Sequence, residues 1–222
     1  MFKKILIGLV VLLAVLAGVI ATRPDTFAVE RSTTIQASPE FAFALVNDFH
    51  HWGEWSPWDK LDASMKRTYD GASAGVGAIY TWTGNDKVGE GKMTVEESKP
   101  NELVRIKLEF IKPFASTNST TFTFTPAGKD TQVTWKMEGH NNFMSKAFSM
   151  FMNMDKMVGG DFERGLAAMK TAAEATAKKQ AEEKAAAEKA AAEKAAAEAA
   201  AAAQAAPPAG SPATGTASAP VP

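Results

Sequence analysis

The chain has no cysteine, so disulfides, thiol nucleophiles and zinc–thiolate sites are all excluded. Histidine is scarce, at three residues, and two of these, His50 and His51, are adjacent. Neighbours on a helix point about 100° apart and cannot chelate one ion from the same face. With only His140 elsewhere, no metal site is expected, and no cofactor. Net charge is also lacking: 24 basic residues against 25 acidic give −1, which leaves no basic footprint for nucleic acid. Nothing matches a nucleophile elbow, a phosphate loop or a dinucleotide fingerprint. The glycine-rich "GASAGVG" lies between two strand-like segments and reads as a turn.

What is present divides the chain into four parts. Residues 5–22 carry no charge and follow "MFKK", so 1–22 reads as an N-terminal signal anchor or a cleaved signal peptide. Eighteen helical residues reach roughly 27 Å, close to a hydrocarbon core. "VIA" at 19–21 is compatible with cleavage. Lys3 and Lys4 favour the inside, so either fate puts the rest outside the cytoplasm, membrane-anchored or secreted. Residues 25–176 have the length of one ordinary domain. Residues 177–205 form an Ala/Glu/Lys-rich helical extension with "EKAAA" three times in succession. Its five-residue period lacks the spacing of a coiled-coil seam, leaving a solvated spacer or an adaptor for an envelope partner. Residues 206–222, rich in Pro and Ala, bury too little apolar surface to order themselves.

Within the domain, "FAVERSTTIQ" reads as a strand. "ASPEFAFALVND" reads as a short helix with Ser38 as N-cap, Pro39 in the first turn and Phe41, Ala44 and Leu45 buried. "FHHWGEW" is a second short helix ending before Pro57. From Lys66 to Gly139 the period is two, giving six strands joined by short turns, hence an antiparallel meander. Val104, Ile106, Leu108 and Phe110 alternate with Arg105, Lys107 and Glu109, so one sheet face is apolar and the other wet. After Asn142 the period becomes helical: Phe151, Met154, Val158, Phe162, Leu166, Met169 and Ala173 make one stripe. The adjacent Gly159 and Gly160 predict a kink or a close backbone approach.

This order, with "VERSTTIQASPEFAFALVNDFHHWGEWSPWD", "GVGAIYTW" and "MDKMVGGDFERGLAAMK", resembles the SRPBCC (START-like) superfamily in its polyketide cyclase/dehydrase and lipid-transport branch. The resemblance covers about residues 25–175. It implies an α+β helix-grip fold, in which a curved antiparallel seven-stranded sheet wraps around a long C-terminal helix, with two short helices after the first strand. It also implies an apolar cavity between sheet and helix. Carried over by position, the inward set is Tyr80, Trp82, Met93, Val95, Ile106, Leu108, Phe110, Phe122, Phe124, Val133, Trp135 and Met137. Phe151, Met154, Val158, Phe162 and Met169 face it from the helix. Seven of the ten methionines fall between Met137 and Met169, and flexible thioethers suit a pocket that must adapt. Trp52 and Trp55, three apart, anchor a corner or gate the entrance. Glu138 and His140 are candidate polar groups at the cavity mouth. The expectation is a monomer that binds a hydrophobic small molecule or lipid. A cyclase/dehydrase-type enzyme and a structural or adaptor role through the tail stand as alternatives.

Overall fold

An uncharged run has no reason to stay extended, because a helix satisfies every backbone polar group within the segment. A computed structural model describes residues 2–151 and 153–205, and in it the N-terminal run is the helix α1, Phe2–Ala21. It is long and apolar enough to cross a membrane, and a signal sequence meets the same description. The strand β1, Thr26–Ile35, follows. Ser38 and Pro39 then start the helix α2, Pro39–Asn47, as their chemistry predicts. Ser38, however, turns its hydroxyl to Glu40 Oε1 (2.5 Å) instead of capping the backbone. The buried stripe of α2 is Ala42, Leu45 and Val46; Phe41 is half-buried and Ala44 exposed, which corrects the expected stripe by one position.

A 3-10 turn, Phe49–His51, leads into the one-turn helix α3, Trp52–Trp55, and a second 3-10 turn covers Trp58–Lys60. The meander comprises β2 (Lys66–Gly71), β3 (Ala78–Thr83), β4 (Glu90–Lys99), β5 (Leu103–Lys112), β6 (Ser116–Ala127) and β7 (Asp130–His140). All pairings are antiparallel and the sheet order is β1-β7-β6-β5-β4-β3-β2. β1 thus closes onto the last strand. Register shifts at Glu90/Gly91 and Val95/Glu97 place bulges in the β4–β5 pair, which bend the strands and sharpen the twist. The strands alternate buried with partly exposed residues, most regularly in β3 and β7, as the period of two requires.

The C-terminal helical region is not one element. A short helix α4, Phe143–Ser149, precedes the long helix α5, Met154–Ala205. Phe162, Leu166, Met169 and Ala173 of α5 join the core with the apolar face of the sheet. From Lys179 onward the chain forms a separate unit. There each Lys sits four residues before a Glu at 3.8–3.9 Å, from Lys179–Glu183 to Lys194–Glu198. The Pro/Ala-rich segment 206–222 lies outside the described residues.

The helix assignment runs unbroken through Gly159-Gly160. The close approach predicted there is made by a side chain and not by a backbone. A Cβ on Gly159 would lie 2.1 Å from Arg31 Nη2. That guanidinium binds Asp155 (2.7 Å) and Glu163 (2.8 Å), clamping β1 to the first turns of α5. Hydrogen bonding to Arg31 holds the Asp155 carboxyl below the usual range. Its contribution is therefore complete above about pH 4 and lost as pH falls through the lower folded value. Gly159→Ala will lower the thermal unfolding midpoint by a few degrees, because displacing the guanidinium outweighs the better helix propensity of alanine. In an Arg31→Ala background the same substitution will stabilise by about 1 kcal/mol. Far-UV circular dichroism melts of the full chain in detergent measure both signs.

Candidate functional site

The apolar face of the sheet is divided along its strands. At the end where β5 begins and β7 begins, α2 lies across β5, β6 and β7 and the space is filled. Val104, Ile106, Phe122, Phe124 and Val133 are fully buried there, and Phe43 meets Phe124 edge-on at 5.7 Å. Towards the other end a cavity of about 220 Å³ remains. That is below the ~300–1,000 Å³ typical of pockets for drug-sized ligands.

Ten of the expected residues line this cavity: Trp52, Tyr80, Trp82, Met93, Leu108, Phe110, Trp135, Met137, Val158 and Phe162. Trp55, Ile106, Phe122 and Phe124 instead belong to the solid core. Phe151 is 86% exposed and Met154 is also exposed, since α5 starts only at Met154 and Phe151 lies in the preceding turn. Glu138 and His140 are exposed and are not among the residues that line the cavity. Glu138 alternates to the wet face, where it pairs with Lys136 at 2.8 Å. His140 ends its strand at the β1 edge, opposite Thr26.

The polar groups that reach the cavity are Ser56, Asp59, Tyr80, Lys87 and Thr120. Thr120 shares the period-two phase of Phe122 and Phe124, so alternation alone could have found it. Met65, Lys87 and Val88 lie in irregular segments and Trp58 opens a single 3-10 turn, all too short for a periodicity that signals which way a side chain points. Most of the polar lining is already paired. Tyr80 donates its hydroxyl to Asp59 Oδ1 (3.2 Å), and Arg67 Nε donates to the same oxygen (3.4 Å). Thr120 Oγ1 accepts from Trp135 Nε1 (2.9 Å) and donates to Lys136 O (3.1 Å). Trp82 donates its indole N–H to Val88 O (3.0 Å), tying the β3–β4 turn over the cavity. Asp62 supports that turn by accepting from Asn85 N at 2.7 Å.

The tryptophan-rich corner resolves into two functions. Trp52 and Trp55 donate their indole N–H groups to the carbonyls of Val46 (3.1 Å) and Leu45 (2.8 Å) at the end of α2. Their rings lie 4.8 Å apart, and only Trp52 reaches the cavity. His50 Nδ1 lies 2.7 Å from Asp48 and His51 Nδ1 lies 2.6 Å from Glu54, both on the exposed side. Trp58 stands edge-on to Trp135 and Phe162, at 5.7 and 6.2 Å, and closes the cavity against the helix.

Burial, followed by the negative charge of Asp59, pushes the Tyr80 phenol well above its ordinary range. Tyr69, the only other tyrosine, is raised less, mainly by burial. A raised phenol stabilises the fold fully below its unfolded value near pH 10, and that contribution is lost as pH rises further. Ultraviolet titration will show both phenols ionising above pH ~10 with Tyr80 last. Tyr80→Phe will remove the later step and cost about 0.5–1.5 kcal/mol in urea unfolding at neutral pH.

Comparison with known proteins agrees with this architecture. Residues 26–174 match the family described as polyketide cyclase / dehydrase and lipid transport. Among solved structures, the di-domain ARO/CYC StfQ from the steffimycin biosynthetic pathway superposes with TM-score 0.52 at 12% identity, over 70% of this chain and 52% of that one. A protein of unknown function from Staphylococcus aureus superposes with TM-score 0.51 at 13% identity, over 70% and 98%. A Chromobacterium violaceum protein gives TM-score 0.49 at 16% identity, over 68% and 98%. A search of curated proteins finds no match. The helix-grip architecture and the match over residues 26–174 place this chain in the polyketide cyclase/dehydrase and lipid-transport family of the SRPBCC superfamily.

Proposed function

We propose that residues 25–176 bind a hydrophobic small molecule or lipid in the sheet–helix cavity, held at a membrane outside the cytoplasm by residues 1–22. The observation that carries this reading is the combination of an apolar lining with polar groups most of which are already hydrogen-bonded within the protein. An apolar guest entering such a site strips water from hydrocarbon surface, worth roughly 25 cal/mol per Å². It leaves few protein polar groups unsatisfied. Met65, Met93 and Met137 line the cavity and supply the side-chain adaptability that differently shaped apolar guests demand. Tyr80 and Asp59 would orient the polar end of the ligand, which makes the ligand amphipathic and not pure hydrocarbon.

One observation favours a second reading, a cyclase/dehydrase-type enzyme. The Tyr80–Asp59–Arg67 chain is the one hydrogen-bonded ionisable network among the described residues that reaches the cavity. On that reading Tyr80→Phe would abolish turnover while leaving affinity nearly intact. The extension from residue 177 is proposed as a solvated spacer.

Native mass spectrometry of the full chain, extracted in detergent from its own membrane, tests the binding reading. An amphipathic adduct is expected, and Leu108→Trp, which fills the cavity, will lower its occupancy about tenfold, equivalent to ~1.4 kcal/mol. A wild-type chain without adduct and without binding of an apolar fluorescent dye would sink the reading.

A further inference from the structure

The antiparallel register sorts the connections to two ends of the sheet. Thr26 pairs with His140, Asn118 with Gly139, Phe110 with Ser116 and Glu90 with Lys112. The exit of α1, the β5–β6 turn, the β3–β4 turn and the start of α4 therefore share one end. The β6–β7 turn at Lys129 and the β4–β5 turn are at the opposite end. The cavity belongs to the α1 end too, since Lys87 and Val88 of the β3–β4 turn, Phe110 and Val158 line it.

That end carries an unusual surface. Phe114 is 73% exposed, Met144 63%, and Phe143, Phe148 and Met157 are at least half exposed. Phe114 and Phe148 approach across the β5–β6 turn and α4, with ring centroids 6.3 Å apart, so these two elements share an aromatic contact at the surface. Monomeric soluble domains seldom leave aromatic and methionine side chains grouped in this way without a partner. The exit of the apolar helix is fastened to the same place. α1 packs against α4, Asn141 N donates to Asp25 O (2.8 Å), Asn141 Nδ2 donates to Pro24 O (3.1 Å), and Lys146 pairs with Asp25. A helix crossing a bilayer at this point has its end, and hence the patch, at the lipid surface.

We propose that the rim formed by the β5–β6 turn and α4 is seated in the lipid surface beside α1, so that the cavity mouth opens onto the bilayer. The occupant of the patch is the interfacial zone of the membrane, where apolar side chains bury roughly 5–10 Å deep. The cavity then exchanges an apolar guest with the acyl region without passing it through water. The seating of the rim rests on α1 as a membrane segment, and the exchange rests in addition on the apolar guest proposed above.

The absence of cysteine makes the test direct. Full-length Phe148→Cys, Phe114→Cys, Lys129→Cys and Val11→Cys chains, each carrying one environment-sensitive fluorophore, are reconstituted in phosphatidylethanolamine/phosphatidylglycerol vesicles. Some vesicles also contain lipid brominated high on the acyl chain. Probes at 148 and 114 are expected to shift to the blue and to be quenched about twofold or more, while the probe at 129 reports water. If 148 and 114 behave like 129 while 11 is quenched, the rim is not seated and the inference falls with α1 still a membrane helix. If the probe at 11 is absent or unquenched, the anchor and the inference fall together, leaving the cavity proposal untouched. A blue shift at 148 that persists in detergent, scales with protein concentration and escapes bromine would mean that a second copy covers the rim, which also overturns the inference.

Discussion

The grip depends on one stack. Phe162 of α5 lies parallel to Trp135 of β7 at 4.0 Å between ring centroids, and Phe122 of β6 also stacks on Trp135, at 4.9 Å. Such pairs add about 0.5–1.5 kcal/mol beyond the area they bury, but their geometric role is larger. The stack sets the separation between helix and sheet, and so decides whether the space beside it is a core or a cavity. Trp135 is held in place by its bond to Thr120, and Gly165 lets the helix come close: a Cβ there would sit 2.9 Å from Trp135 Cζ3 and 3.2 Å from Pro57.

Around this stack the two ends of the sheet serve different purposes. At one end α2 and the Trp52–Trp55 corner plug the grip with tightly buried side chains, and the two indoles bond to the end of α2. At the other end a bent sheet and a helix held off by aromatic rings leave room. The glycines mark how tight the margins are. Gly91 leaves space for Trp82, whose ring carbons would be 2.3 Å from an added Cβ. Gly159 does the same for Arg31, which fastens the start of α5 from outside. Apolar burial inside and charge pairing outside thus converge on the same short segment of helix.

The strands, the first short helix and the long helix were legible because each has a period and punctuation of its own. Alternation also identified the apolar face: Leu108, Phe110, Trp135 and Met137 reach the cavity as their phase requires. Depth along that face was not legible. Ile106, Phe122 and Phe124 share the same phase yet fill the solid end, because α2 and the Trp52–Trp55 corner cover it, segments some 50 to 85 residues away in the chain. Phe151 and Met154 fit a helical stripe on paper, but the chain breaks into α4 and α5 before that stripe reaches the sheet.

Local chemistry by itself determined the elements, the sheet's two faces, the apolar N-terminal helix and the poverty of catalytic motifs. Period, caps and turn residues act over a few positions and need no distant partner. The tertiary structure alone decided that Trp52 and Trp55 bond to α2, that Trp58 closes the cavity, and that Tyr80 meets Asp59 inside it. It also decided that the exposed aromatic rim shares an end of the sheet with α1. These relations come from strand register and from the packing of segments far apart in sequence, and a local pattern cannot carry distances of that kind.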